Sequence, residues 1–307
     1  MEHLGPGPER PPVGWVGLGA LGAPMAANLL AAGFPLTVYN RSPGPEQTLV
    51  ARGARAAVSP AAAAQAQLLC LCVSDDQAAR EVLFGGGHTR RLSPDSAAAG
   101  LRAGGLVIDF STIAPATSHA LATRLADQGV AYLDAPVTGG TEGARAGCLS
   151  VLVGGAAADL DRARPLLEVV GNRISHLGPV GAGQQAKAVN QVLVAGSYAA
   201  VAEALALGRS LGLPMPRVCE ALATGAAGSW ALEHRAANML QGHFPLGFRL
   251  ALHRKDLGIA LEAAASTGIE LPLTRLVAAI EDELLDAGHG DDDVSAVARW
   301  FGSAARP

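Results

Sequence analysis

The sequence predicts an α/β fold, with a doubly wound and mainly parallel sheet followed by an all-helical C-terminal domain. Short apolar runs alternate with helical stretches over residues 13–179. A glycine-rich turn follows the first apolar run, and beyond residue 180 the pattern is helical throughout. Strand–helix alternation is typical of a parallel sheet with helices on both faces, so the helical remainder is expected to form a separate domain.

Seven apolar runs are the strand candidates. Most are nearly continuous rather than alternating in polarity, as expected for strands that are covered on both faces. The last two follow a glycine-rich stretch and could extend the sheet. The candidates are Val13–Val16, Leu36–Tyr39, Leu68–Val73, Leu106–Phe110, Ala131–Ala135, Leu149–Val153 and Arg173–Leu177. Helices are expected between them, at Pro24–Ala32, Asp75–Leu83 and Pro115–Gln128.

One long helix is expected to open the second domain. From Gln184 to about Ser210 the pattern is helical and almost free of charge. At 1.5 Å per residue such a helix would be about 40 Å long. A helix so long and so apolar has to be covered by a second domain or a second subunit. We therefore expect domains at 13–179 and 180–307, and a homodimer or homotetramer.

Charge and composition exclude several classes of protein. Half of the 307 residues are hydrophobic, which is enough for a packed core, and the net charge of −4 provides no basic surface for nucleic acid. Residues 1–12 are polar and proline-rich without a signal-peptide core, so they are expected to be a disordered arm. The charge-free run Ala188–Ala202 is too short to span a membrane. A cytoplasmic protein without membrane contact is predicted.

Metal and thiol chemistry are not expected. The eight histidines show no HExxH pattern, so no metal site is predicted. The four cysteines contain no CxxC pair and are interpreted as buried, reduced thiols. Asp291–Asp293 precedes an apolar stretch and is more simply the cap of a helix than a metal loop.

A glycine-rich motif marks a dinucleotide site. The GxGxxG motif comprises Gly17, Leu18, Gly19, Ala20, Leu21 and Gly22. It follows a predicted strand, opens a helix and leads to a second strand, which is the context that a Rossmann-type nucleotide-binding domain requires. Its glycines would form the turn, admit a pyrophosphate and bring the helix close to the strand, and the helix N-terminus would meet the phosphates.

The end of the second strand indicates which nucleotide is bound. An acidic residue there would hydrogen-bond the ribose of NAD, but this chain has Asn40, Arg41 and Ser42. A neutral Asn40 does not repel a 2′-phosphate, and Arg41 offers it a planar cation. We expect NADP(H) as the preferred cofactor, with NAD(H) as the alternative. Arg41 could instead be a solvated loop residue.

Five blocks, spread in order over nearly the whole chain, resemble the β-hydroxyacid dehydrogenase family, which includes 3-hydroxyisobutyrate dehydrogenase and tartronate semialdehyde reductase. The blocks are GLGALGAPMAANLLAAG with YNRS, residues 109–115, residues 134–155, residues 181–191 and residues 255–258. The resemblance implies an oxidoreductase that interconverts a small β-hydroxyacid and its aldehyde acid by hydride transfer.

The resemblance also assigns roles to individual residues. Lys187 matches the catalytic lysine, and Asn190 and Gln191 lie one turn farther along the same helix face. In another context a lysine at a helix start would more often be a snorkelling surface residue. The resemblance places the substrate carboxylate at the turn formed by Thr138, Gly139 and Gly140, whose hydroxyl and N–H groups suit an anion.

Further residues are expected around the cofactor and substrate. Ser111 and Thr112 follow a parallel strand, where ligands of such sheets bind; Ser111 is assigned to the substrate and Thr112 to the nicotinamide. By resemblance, Cys72 and Val73 contact the cofactor through their backbone, and Lys255 approaches it from the helical domain. The active site is expected in the cleft between the two domains.

Two rival functions are kept. An imine reductase resembles this family in fold and cofactor, but such relatives usually lack the lysine and do not need the carboxylate turn. A catalytically inactive NADP-binding protein is the other rival, and the retained Lys187 argues against it. Gln191, together with residues 248–257, favours the tartronate semialdehyde reductases over the 3-hydroxyisobutyrate dehydrogenases within the family.

Overall fold

The computed structural model describes residues 10–85 and 92–302 of the chain. Residues 1–9 of the expected N-terminal arm therefore lie outside the described part. The chain forms two compact units, which divide between Lys187 and Ala188.

A nine-stranded sheet is the centre of the first unit, within the described residues. Its strands follow the spatial order β3-β2-β1-β4-β5-β6-β8-β7, and β9 pairs with β8. Strands β1 to β6 pair in parallel, β8 is antiparallel to β6 and β7, and β9 is parallel to β8. The strands are β1 (Val13–Val16), β2 (Leu36–Tyr39), β3 (Arg55–Ala56), β4 (Leu68–Leu71), β5 (Leu106–Asp109), β6 (Ala131–Asp134), β7 (Val137–Thr138), β8 (Leu149–Gly154) and β9 (Gly171–Gly178).

Eight helices accompany this sheet in the described part of the first unit. They are α1 (Gly22–Ala31), α2 (Gln47–Val50), α3 (Pro60–Ala63), α4 (Asp76–Phe84), α5 (Ala97–Gly100), α6 (Pro115–Ala126), α7 (Gly140–Ala146) and α8 (Ala157–Val170). Asp75 begins α4 by accepting a hydrogen bond from the Ala78 N–H, and such caps satisfy the free N–H groups of a first turn.

Two apolar clusters cover the two faces of the sheet. Strands β1, β4 and β5 are buried at every position, as the continuous apolar runs predict. Successive side chains point to opposite faces of a strand. Cys70 and Ile108 accordingly join the cluster that contains Trp15, whereas Leu69 and Val107 join the other. The predicted doubly wound, mainly parallel fold is confirmed.

The second unit is helical in its described part. The 29-residue helix α9 (Ala182–Ser210) begins in the first unit and continues into the second. The others are α10 (Met215–Ala223), α11 (Trp230–Gln241), α12 (Leu250–Thr267), α13 (Pro272–Asp286), a short 3₁₀ helix at Val294–Val297 and α14 (Ala298–Gly302). As expected of the acidic run before it, Asp293 caps the 3₁₀ helix by accepting from the Ser295 N–H.

Several element boundaries differ from the prediction. Strand β4 ends at Leu71, which places Cys72 and Val73 in the loop beyond it. Helix α9 begins two residues before Gln184. The two-residue strands β3 and β7 were not predicted, because two residues are too few for a recognisable pattern. Strand β9 spans Gly171–Gly178. It begins two residues before the predicted run Arg173–Leu177 and ends one residue after it.

The expectation of four buried thiols is wrong in part. All four cysteines are free, and Cys70 is buried, but Cys148 is exposed and Cys72 and Cys219 are partly buried. Burial raises the pKa of the Cys72 thiol to about 12, and the nearby Asp109 carboxylate contributes. The Cys72 thiol therefore stays protonated at neutral pH and is not a nucleophile.

Helix α9 is long and apolar enough to cross a membrane by length and composition, with 39% of its most apolar stretch buried. The core helix of a soluble protein passes the same test of length and composition.

Candidate active site

One of the three glycines in the loop between β1 and α1 leaves room for a ligand. Gly17 has φ +97°, and a Cβ there would lie 2.2 Å from the Cys72 carbonyl oxygen. A Cβ on Gly22 would lie 2.1 Å from the Gly17 carbonyl oxygen. A Cβ on Gly19 would meet no atom of the described residues within 4 Å, and Gly19 is exposed. Gly17 and Gly22 thus maintain the turn, and Gly19 keeps the backbone accessible to a diphosphate, as a dinucleotide site requires.

The other members of this loop surround the opening. Leu18 is buried in the sheet cluster, Leu21 is half-buried and Ala20 is exposed beside Gly19. The indole Nε1–H of Trp15 donates to the Gly17 carbonyl, 2.9 Å away, and thereby holds the turn to the core.

Asn40 connects the glycine-rich loop to the end of β2. Its Oδ1 accepts from the Leu18 N–H at 2.9 Å, and its Nδ2 donates to the Ser42 carbonyl at 2.7 Å. The side chain therefore organises two loops, a role that the sequence did not suggest. Arg41 and Ser42 follow it and are exposed. A cation next to the loop is available for a 2′-phosphate.

The loops after β4 and β5 are joined by Ser111. Its Oγ accepts from the Val73 N–H at 3.0 Å, while its own N–H donates to Asp109 Oδ1 at 2.9 Å. Ser111 is only 2% exposed, whereas its neighbour Thr112 is half-buried. The Ser111 hydroxyl, which was predicted to bind substrate, thus lies inside the loop framework, and Thr112 has the more accessible side chain.

Asp109 is a buried carboxylate beneath these loops. Tyr132 donates its hydroxyl hydrogen to Asp109 Oδ2, 2.9 Å away. Burial raises the pKa of Asp109 to about 6, although hydrogen bonds from Ser111 and Tyr132 oppose the shift; the negative charge of Asp134 adds a small further increase. Asp109 therefore titrates slightly below neutral pH. Its role is structural, because its carboxyl group holds Ser111 and Tyr132.

Asp134, at the end of β6, holds the start of α9. Its Oδ1 accepts from the Gly181 N–H at 2.7 Å, and its Oδ2 from the Gln184 N–H at 2.9 Å. These N–H groups belong to the first turn, where they have no partner within the helix, and a negative charge is favourable at this end of the helix dipole. Burial nevertheless raises the pKa of the Asp134 carboxyl. The carboxylate anchors the turn from which Lys187 projects.

Lys187 lies beside the turn that was predicted to bind a carboxylate. It is 7% exposed, and its Nζ donates to the Val137 carbonyl oxygen at 2.9 Å. Val137 directly precedes Thr138, Gly139 and Gly140. Gly139 and Gly140 have φ values of +133° and +64°, which an L side chain rarely adopts. The structure therefore brings together the predicted proton donor and the predicted anion turn within the first unit.

In the second unit, four polar residues form a chain of contacts. Lys255 Nζ lies 2.9 Å from Asp256 Oδ1, and Asp256 Oδ2 accepts from Gln191 Nε2 at 2.6 Å. Gln191 Oε1 in turn accepts from Asn190 Nδ2 at 2.7 Å. Asp256 and Gln191 are almost completely buried, so this network orients Asn190 and Lys255.

Four residues that organise the site were missed as functional positions. Asp109, Asp134, Gln184 and Asp256 hydrogen-bond other residues of the candidate site and hold them in place. All four lay inside the blocks of family resemblance, and a buried polar residue at a strand end or helix start is the signal that could have identified them.

Comparisons with known proteins extend this description. Residues 12–178 match the family model of the NAD binding domain of 6-phosphogluconate dehydrogenase, and residues 181–301 match that of the NAD-binding domain of NADP-dependent 3-hydroxyisobutyrate dehydrogenase. The chain belongs to the β-hydroxyacid dehydrogenase family. It is an NAD(P)-dependent oxidoreductase that acts on hydroxyl groups of hydroxyacids.

Relatives in this dehydrogenase family match the chain over most of its length. An NAD-dependent L-serine dehydrogenase of Pseudomonas aeruginosa is 38% identical over 94% of the chain and 97% of its own length. A 2-hydroxy-3-oxopropionate reductase of Escherichia coli is 36% identical over 85% and 87%, respectively. The solved structure of a Mycobacterium tuberculosis 3-hydroxyisobutyrate dehydrogenase with L-serine superimposes with a TM-score of 0.83, at 32% identity over 96% of this chain and all of that one.

Proposed function

We propose that this dehydrogenase interconverts a small β-hydroxyacid and its aldehyde acid, with NADP(H) as the preferred cofactor and Lys187 as the acid and base. The observation that carries the proposal is the position of the Lys187 ammonium, 2.9 Å from the carbonyl of Val137 and therefore directly beside the Thr138–Gly140 turn. A proton donor and an anion site at one place fit a substrate that bears a carboxylate near its carbonyl.

The named substrates of the relatives share this chemistry. L-serine, 2-hydroxy-3-oxopropionate and 3-hydroxyisobutyrate are short carboxylates with an oxygen on the β carbon. We infer that the carboxylate of the substrate binds at Thr138, Gly139 and Gly140, and that its β oxygen faces Lys187. Tartronate semialdehyde and the aldehyde acid of 3-hydroxyisobutyrate are the types of substrate expected.

A bound nicotinamide would supply the hydride in the reductive direction. As negative charge develops on the carbonyl oxygen, the protonated Lys187 donates a hydrogen bond and then its proton, and the products are the alcohol and a neutral lysine that water reprotonates. In the proposed site Asn190 would orient the ammonium or the substrate oxygen, and Thr112 and Lys255 would help to hold the nicotinamide cofactor.

Assembly into a dimer or tetramer is part of the proposal. Four large apolar side chains on or just after α9 are at least 60% exposed: Val189, Leu193, Leu207 and Leu211. Their spacing of 4, 14 and 4 residues places them on one face of the helix, which we call the apolar stripe. Burial of such a stripe against a second copy is favourable at roughly 25 cal/mol per Å² of apolar surface.

Substitution of Lys187 tests the mechanism. Lys187→Met removes the proton donor but keeps most of the apolar stem, so turnover of an aldehyde acid should fall by at least about a hundredfold while NADPH still binds. Lys187→Arg keeps a cation that does not release its proton at neutral pH and should be nearly as slow. Turnover within a few-fold of the parent in either variant would contradict acid catalysis by Lys187.

The choice of substrates tests the reaction class. We expect the parent protein to oxidise NADPH with aldehyde acids and to act poorly on their methyl esters, because the ester has no charge for the anion turn. Reduction of cyclic imines but not aldehyde acids would identify an imine reductase. NADPH binding without reduction of either compound would identify an inactive NADP-binding protein.

A further inference from the structure

The side-chain amide of Gln184 is the least exposed polar group in the first turn of α9. It is 1% exposed, and both ends of the amide are hydrogen-bonded. Nε2 donates to the Ser111 carbonyl at 2.8 Å, and Oε1 accepts from the Ile113 N–H at 3.2 Å. The two backbone groups belong to the peptide units on either side of Thr112, so one amide holds Thr112 from both sides.

Gln184 also belongs to the turn that carries Lys187. Its backbone N–H is held by Asp134, and Lys187 follows it by three residues, which is nearly one helical turn. The contacts to Ser111 and Ile113 span 73 and 71 residues of sequence. Gln184 therefore links the segment around Thr112 directly to the helix that presents Lys187.

We propose that Gln184 is a positioning residue that sets the distance between Thr112 and Lys187, and with it the alignment of hydride donor and proton donor. This inference rests on the proposed function. A misplacement of about 1 Å in an active site commonly lowers the rate about a hundredfold, and such a change affects the chemical step more than binding. The side-chain hydrogen bonds of Gln184 go to Ser111 and Ile113 rather than to the glycine-rich loop or Arg41, so the rate should depend on Gln184 more than cofactor affinity does.

Gln184→Met is the first test, because methionine has a similar volume and lacks both hydrogen-bonding ends. We expect kcat for an aldehyde acid to fall by about tenfold to a hundredfold, with the KM and the NADPH dissociation constant within a few-fold of the parent. The deuterium isotope effect with 4-deuterated NADPH should rise towards its full value, because hydride transfer becomes rate-limiting. A variant that was merely less stable would not change the isotope effect.

Gln184→Glu tests the hydrogen bond to the Ser111 carbonyl separately from the one to the Ile113 N–H. A protonated carboxyl has a donor and an acceptor like the amide, whereas the ionised form has two acceptors and opposes the Ser111 carbonyl. Burial and the carboxylates of Asp109 and Asp134 raise the pKa of such a group, and the ammonium of Lys187 opposes them. The ratio of variant to parent kcat should therefore rise as the pH is lowered from about 8 to about 5.5.

Two controls isolate this effect. Gln184→Met contains the same Asp109 and Asp134 but no carboxyl at position 184, so its ratio to the parent should stay flat over this pH range. Gln185 is the next residue and is exposed, so Gln185→Glu adds the same charge to the same turn without touching Thr112 and should match the parent.

The outcomes distinguish this inference from the proposed function. An active parent with unchanged kcat and isotope effect in Gln184→Met overturns the positioning role and leaves the proposed function intact. A flat pH ratio for Gln184→Glu also overturns it. A parent that binds NADPH but reduces no aldehyde acid overturns both.

Discussion

The two glycines at either end of the Gly19–Gly22 segment should respond in opposite ways to the same added methyl group. Gly19→Ala places a Cβ where no atom within the described part of the chain lies within 4 Å, and its backbone does not have the positive φ of Gly17. Gly22→Ala places a Cβ 2.1 Å from the backbone carbonyl oxygen of Gly17. The first substitution fills space that a ligand would use, and the second forces helix α1 away from the turn.

The magnitudes follow from these distances. Gly19→Ala should leave stability unchanged or raise it by about 0.4–1 kcal/mol, because alanine restricts the unfolded chain. In the complex the methyl group displaces the diphosphate, and overpacking of about 1–3 kcal/mol corresponds to roughly fivefold to hundredfold weaker NADPH binding. Gly22→Ala should be destabilised by about 1–3 kcal/mol or more, because a backbone oxygen cannot rotate away as a side chain can.

Thermal unfolding without cofactor and NADPH titration by fluorescence measure the two effects on one preparation. A loss of 1 kcal/mol should lower the midpoint by about 2–4 °C in a unit of this size. Gly302→Ala is a matched control, because a Cβ there also meets no atom of the described residues within 4 Å and the residue lies at the end of α14. Unchanged NADPH affinity in Gly19→Ala would refute the diphosphate position, and an undisturbed midpoint in Gly22→Ala would refute the packing argument.

Three further predictions concern cofactor choice, pH and assembly. Arg41→Ala should weaken NADPH by about tenfold to a hundredfold and NADH hardly at all, since a charge-assisted contact contributes about 1.5–3 kcal/mol; equal losses in titrations of both cofactors would contradict the assignment. The pKa of Asp109 is raised from 3.8 to about 6, so the native state binds its proton more tightly than the unfolded chain and stability is lost as the pH rises from about 4 to 6. In urea unfolding curves, the free energy of unfolding of Asp109→Asn should fall by about 3 kcal/mol less than that of the parent over this pH range. An unchanged pH dependence would show that Asp109 does not titrate as stated. Light scattering at micromolar concentration should give the mass of a dimer or tetramer, and a fully active monomer would contradict the role of the apolar stripe on α9.

Local patterns were sufficient to predict much of the architecture. Strands β1 and β2 have the predicted bounds, because each short, largely apolar run is bounded by a proline before it and a glycine or asparagine after it, which leaves little choice of position. The glycine-rich loop could be predicted for a similar reason, since a turn of this kind needs glycines at fixed spacing. Lys187 and the Thr138–Gly140 turn were identified by family resemblance, and their contact through Val137 agrees with a shared site.

Tertiary structure decided the polar framework that holds these parts. Asp134 meets the start of α9 across 47 residues of sequence, and Gln184 meets Ser111 across 73, so no local pattern contains both partners. The sequence by itself determined most of the longer elements and pointed to the residues proposed to carry the chemistry, because both depend on side-chain type and short-range spacing. The roles of Asn40, Ser111 and Gln184 depend on which groups their side chains hydrogen-bond. Those partners lie on chain segments that meet only when the sheet has folded.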